Sequence, residues 1–150
     1  MRGKRVAVLG LLGLLFAFAG SCQSTKSALQ DAAMRGFPSY FSRTDEFLII
    51  GSVASGESKL ICVFNKHFWG NGRMSGRVVL FSEAGDLIGE YGVISDTPSI
   101  RGSLLLFPYE ASLGNMIDLT IGIPREVRLD GELYSIELYK QDAPAGSDPH

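Results

Sequence analysis

The densest collection of chemically capable side chains in the sequence is Phe64-Asn65-Lys66-His67-Phe68-Trp69-Gly70-Asn71-Gly72-Arg73. It holds the only tryptophan of the chain and one of its two histidines, with amide or basic groups at Asn65, Lys66, Asn71 and Arg73. An imidazole titrates near neutral pH and can act as a base, a proton donor or a metal ligand. Aromatic and basic side chains on a loop above a rigid scaffold are the usual material of a binding surface. Asn65, Lys66, His67, Phe68, Trp69, Asn71 and Arg73 therefore form the candidate binding loop. A plainer reading stands beside it: Phe68 and Trp69 cap a core, and Gly70-Asn71-Gly72 is only a tight turn.

Catalytic and metal chemistry find less support. Metal sites announce themselves as pairs of His or Cys a few residues apart, and neither His67 nor His150 has such a neighbour. The carboxylates fall in turns, at Glu83, Asp86, Asp130 and Glu132, or at strand positions that read as outward-facing, at Glu90, Asp118 and Glu137. The chain has no Gly-x-Ser-x-Gly elbow, no phosphate-cradling loop ending in Lys and no dinucleotide fingerprint. No metal, no cofactor and no catalytic residue is expected. The expected role is a non-enzymatic binding or interaction module, the alternative being a carrier of a small hydrophobic ligand inside a β-barrel.

A second chemically distinctive residue is Cys22. Arg2, Lys4 and Arg5 precede Val6 to Ala19, a run without one polar side chain, and this is the charged and apolar sequence of a secretory leader. As a helix the run would span roughly 21 Å at about 1.5 Å per residue, short of the roughly 30 Å hydrocarbon core of a bilayer. Ala19-Gly20-Ser21-Cys22 resembles the lipobox of bacterial lipoproteins, with Ala19 where that family usually has Leu. The resemblance implies that Cys22 is diacylglycerated and becomes the mature N-terminus, and two or more acyl chains make a durable anchor. Gln23, in place of the Asp that marks inner-membrane retention in enteric lipoproteins, implies an outer-membrane lipoprotein facing the periplasm. Ala17-Phe18-Ala19 also suits an ordinary signal peptidase, which would release a soluble periplasmic protein from Gly20. In that case a disulfide from Cys22 to Cys62 becomes the leading alternative; otherwise Cys62, inside Leu60-Ile61-Cys62-Val63-Phe64, is a small buried hydrophobe.

The elements that must position these residues are mostly strands. The chain divides into a signal peptide (1–21), a lipidated tether with a short helix (22–45), a β-domain (46–140) and a disordered tail (141–150). Ser27 and Gln30 have capping-box spacing, Ala28 to Arg35 are mostly helix formers, and Gly36 and Pro38 are stop signals. Beyond Asp45, β-branched and aromatic runs separated by glycine turns predict about seven strands: Glu46 to Val53, Leu60 to Phe68, Arg73 to Phe81, Leu87 to Ile94, Ile100 to Tyr109, Met116 to Ile123, and Glu126 to Lys140 with an internal hairpin. Asp130-Gly131 suits a two-residue turn that sets Leu129 opposite Glu132 and Val127 opposite Tyr134, placing Val127, Leu129, Tyr134, Ile136 and Leu138 on one face. Ile117, Leu119, Ile121 and Ile123 alternate with less apolar positions. Phe47-Leu48-Ile49-Ile50 and Leu104-Leu105-Leu106-Phe107 read as buried on both faces. The fold class expected is an all-β antiparallel sandwich of immunoglobulin-like architecture, or alternatively a closed β-barrel. The hairpin from Phe81 to Gly89 resembles immunoglobulin-like bacterial envelope domains over those nine residues.

Composition narrows the partners. With 14 basic against 16 acidic residues, and three of the basic ones in the leader, the chain lacks the positive footprint that nucleic acid requires. The expected partners are the membrane, through Cys22, and another envelope protein. Mass spectrometry of the mature protein should find a diacylglyceryl-modified Cys22 at the N-terminus, and an unmodified terminus at Gly20 would refute the anchor.

Overall fold

In the computed structural model, residues 10–93, 96–108 and 115–139 are described, with side chains from residue 23 onward. The charged start of the leader, the tail 141–150 with His150, and the strand ends expected at Ile94, Tyr109 and Lys140 lie outside them. One helix, α1 (Gly10–Gly36), precedes nine strands. They are β1 (Glu46–Ser55), β2 (Ser58–Phe68), β3 (Met74–Ser82), β4 (Leu87–Val93), β5 (Ser99–Arg101), β6 (Leu104–Leu106), β7 (Met116–Asp118), β8 (Glu126–Leu129) and β9 (Glu132–Leu138). Pairing is antiparallel throughout, in a six-stranded sheet ordered β1-β2-β3-β4-β9-β8 and a three-stranded sheet ordered β5-β6-β7.

The architecture is sandwich-like, and the barrel alternative is overturned: β1 and β8 are the edges of the larger sheet, which stays open. On one of its faces Cys62, Phe64, Val78, Leu80, Tyr91 and Val93 pack with Leu105, Phe107, Ile117 and Leu119 of the smaller sheet and its flanks. The Tyr91 hydroxyl donates to the Pro124 carbonyl on this side. On the other face Phe47, Val63, Val79, Phe81 and Leu87 pack with Leu29, Ala33, Phe37 and Phe41. Consecutive residues of a strand point to opposite faces, so β2 and β3 must be covered twice. This accounts for the full burial of Cys62, Val63, Phe64 and of Val78 to Phe81.

Cys62 lies in the face against the small sheet, opposite the one on which α1 packs, and is a free thiol. The alternative of a Cys22 to Cys62 disulfide is therefore not formed. Burial pushes the Cys62 thiol up to about 12, the mark of an inert core cysteine.

Several local expectations change. Nine strands stand where about seven are expected: the expected Glu126 to Lys140 element, with its hairpin, is the two strands β8 and β9, and Gly102, at φ 61°, turns the run from Ile100 back on itself and makes the β5–β6 hairpin. The strand begun at Met116 stops at Asp118, whose side chain accepts from the Thr120 amide while Gly122 N donates to Leu119 O. That turn leaves Ile121 95% exposed, although alternation assigned it to the core. Leu48 and Leu138 are exposed as well. The expected short helix is instead the end of a 27-residue one, because no proline or cap interrupts the chain after Gly10, and Ser27 falls inside it. Phe37 N donates to Ala33 O where α1 ends. No helix among the described residues is long and apolar enough to cross a membrane.

The Asp130-Gly131 turn has φ of 50° and 81°, both left-handed, and pairs Leu129 with Glu132 and Val127 with Tyr134 as its sequence requires. Where β4 meets β9, the approach is close: a β-carbon on Gly89 would lie 2.7 Å from the Glu137 carbonyl oxygen. Gly89→Ala should lower stability by about 1–3 kcal/mol, as overpacking does. Urea denaturation with an unchanged midpoint would show that this seam yields freely.

Candidate functional site

The short span from Gly36 to Asp45 decides where the helix face of the sheet is left open. Arg43 pairs with Asp31 at 2.7 Å, and Gln30 Nε2 donates to Ser42 O at 3.1 Å, tying this segment back onto α1. Asp45 N in turn donates to Ser42 O, and Ser42 N donates to Asp45 Oδ2 at 3.0 Å. These contacts form a closed turn that points the Asp45 carboxylate at the end of β2, with its side chain only 1% exposed.

There it meets two of the candidate loop residues. Asn65 Nδ2 donates to Asp45 Oδ2 at 3.0 Å, and His67 Nδ1 lies 2.6 Å from Asp45 Oδ1. A carboxylate only accepts, so the proton sits on Nδ1 and the ring presents Nε2 to whatever it faces. The imidazole also meets Trp69 edge to face at 4.5 Å between centroids. Across the β2–β3 ladder His67 pairs with Ser75 and Asn65 with Arg77, so all four side chains share one face. Arg77 Nη1 donates to Glu90 Oε1 at 2.6 Å, and its guanidinium lies 4.1 Å from the centroid of the Tyr40 ring.

The outcome is a cleft of about 370 Å³ lined by Ser39, Tyr40, Phe41, Ser42, His67, Trp69, Ser75 and Arg77. Of the seven candidate residues, His67 and Trp69 line it, and Asn65 lies fully buried in contact with Asp45 beneath. The strand alternation takes Lys66 and Phe68 to the other face, where the Lys66 ammonium sits 5.8 Å from the Phe64 ring centroid. Trp69 N donates to Arg73 O and Gly72 N to Trp69 O, while Asn71 Oδ1 accepts from Arg73 N. The glycine stretch is thus a tight turn, with Gly72 at φ 78°. The aromatic residues beside it do not cap a core: Phe68 is 60% and Trp69 54% exposed.

Sequence reading missed Asp45, Ser75, Arg77 and Glu90. The positions of Ser75 and Arg77 were legible in principle, since a turn at residues 70–72 sets the β2–β3 register that brings them beside His67 and Asn65. Glu90 corrects an expectation, because its side chain is 1% exposed where an outward position was assigned. Burial raises its carboxyl to about 7, against the pull of Arg77, and Glu137 across the ladder adds to the rise. Asn65 Oδ1, Arg77 Nε and Glu90 Oε2 are buried here without a protein partner, which is where most such atoms among the described residues lie. Such groups cost about 1–3 kcal/mol each when left bare.

The arrangement resembles part of a nucleophilic triad, an oriented imidazole with a serine across the ladder, but no hydrogen bond joins Ser75 to His67. Among the described residues no three or more His, Cys, Asp and Glu side chains gather as metal ligands. Comparison with protein-family models, with curated proteins and with solved structures finds no match to this chain.

Glu90 carries a pH dependence. Its folded pKa lies above its ordinary 4.5, so its proton is held more tightly in the folded state. Its stabilising contribution is complete below about pH 4.5 and is lost as the pH rises through about 7. Thermal midpoints measured between about pH 5 and 8 should fall less steeply in Glu90→Gln than in the parent. Parallel profiles would show that Glu90 titrates normally.

Proposed function

We propose that this protein is a non-enzymatic binding module of the bacterial cell envelope, anchored through an acylated Cys22, whose recognition surface is the cleft around His67 and Trp69. The observation that carries the reading is the Asp45 carboxylate, buried and spent on fixing His67 beside an exposed tryptophan. Holding a polar ring rigidly at the mouth of a cleft costs conformational freedom that folding alone does not require, and preorganisation of this kind favours binding. The sequence of the leader, with Cys22 directly after small residues, supports the address. The outer-membrane location facing the periplasm rests on Gln23. The proposed surface lies at one end of the strands, where β2 runs out toward Phe68 and β3 begins at Met74.

The non-enzymatic part of the proposal draws on the missing contact between Ser75 and His67 and on the absence of Asp and Glu from the cleft lining. The open sheet, its inner face filled by Leu105, Phe107, Ile117 and Leu119, favours a surface binder over a barrel carrier.

A photoreactive side chain at Trp69 should form an adduct with an envelope component in intact cells. The same group at Ile121 should not: that residue sits by Gly56, at the opposite end of β2 from His67, roughly 30 Å away at about 3.3 Å per residue. Equal labelling from both positions, or none from Trp69, would overturn the assignment of the surface.

A further inference from the structure

The chemistry of the cleft narrows what it holds. Its two basic groups are each backed by a carboxyl group inside the protein, His67 by Asp45 and Arg77 by Glu90, at 2.6 Å in each case. An anionic ligand drawn to either basic group would approach the buried carboxylate already paired with it, which works against an anion here. What remains on offer is uncharged and two-sided: the hydroxyls of Ser39 and Ser75, each able to donate and accept, and the His67 Nε2 position, while the Ser42 hydroxyl is engaged by Thr44. Above them stands Trp69, more than half exposed, with His67 against it at 76° to its plane. Such a ring is a platform for a flat apolar face. Tyr40 closes the other side, already held by Arg77 and by Phe37 stacked at 6.2 Å.

A ligand that fits must carry several hydroxyl or amide groups around a ring whose C–H face is apolar. We infer that the cleft binds a neutral saccharide unit of an envelope glycan, with its C–H face on Trp69 and its hydroxyls toward Ser75 and His67. This inference rests on the binding-module reading above and gives its ligand a chemical class. It also carries a consequence for turnover: glycoside hydrolysis needs a pair of carboxyl groups flanking the bond. None lines the cleft, so the saccharide is bound and left intact.

Because Trp69 is the only tryptophan, its fluorescence in the full chain, held in detergent micelles, reports the cleft directly. Titration with N,N′-diacetylchitobiose, cellobiose and maltose should give a saturable change with at least one of them. Ser75→Ala, which leaves the Asp45–His67 pair in place, should weaken that binding about 3- to 10-fold, and Ile121→Ser should leave it unchanged. Saturation-transfer NMR on the parent protein should place the contact on the ring C–H protons, and the sugar should be recovered uncleaved. Response to inorganic phosphate but to no neutral saccharide would overturn the inference in favour of an anion site, and cleavage of the sugar would overturn the bound-intact reading. If saccharides give no response while the crosslinker at Trp69 still captures an envelope protein, the glycan inference falls and the binding module stands. If both fail, both fall.

Discussion

The two middle strands of the large sheet are apolar on both faces, and everything else in the fold answers that demand. β2 and β3 carry Cys62, Phe64, Val78 and Leu80 toward one side and Val63, Val79 and Phe81 toward the other. The chain meets the first set with the small sheet and the second with α1 and the aromatic residues that follow it. The helix, however, covers only the part of its face that is greasy. Toward the far end of β2 and the near end of β3 the same face turns polar, through Asn65, His67, Ser75 and Arg77, and there the covering stops. The cleft is the boundary between the two halves.

That boundary is held by polar contacts and not by core packing. Gln30 and Asp31 on the helix secure the turn around Ser42, the turn aims Asp45, and Asp45 sets the imidazole. Each link is only one or two hydrogen bonds or ion pairs, and they run in series from the helix to the ring. At the far side Glu90 is nearly dry and is held by Arg77 through one bond, with Arg77 reaching into the cleft, so the pair fixes geometry while its contribution to stability is small.

Much of the fold was legible from the residues. Alternation and glycine turns located β1 to β4, and Asp130-Gly131 dictated the register of the last hairpin because few other dipeptides tolerate two left-handed positions in a row. The pattern misled where a local polar group outbid it: Asp118 capped a turn that ended β7 and turned Ile121 outward. The binding loop was recognised as a composition, and half of it dispersed because a strand sends neighbours to opposite faces. The β2–β3 register could place Arg77 beside Asn65, but the roles of Asp45 and Glu90 were not legible from spacing alone, since each gains its meaning from a partner 13 or more positions away.

The docked helix has a mechanical meaning. From Cys22 to Leu29, the first core contact, is seven residues of α1, about 10 Å at 1.5 Å per residue. A tug delivered at that cysteine would travel down a stiff rod and try to slide Leu29, Ala33 and Phe37 across the sheet together, loading them in parallel instead of peeling them singly. Under the proposed acylation of Cys22 the domain would ride close to its membrane attachment with little freedom to swivel, and a pull there would be felt first at the turn behind the imidazole.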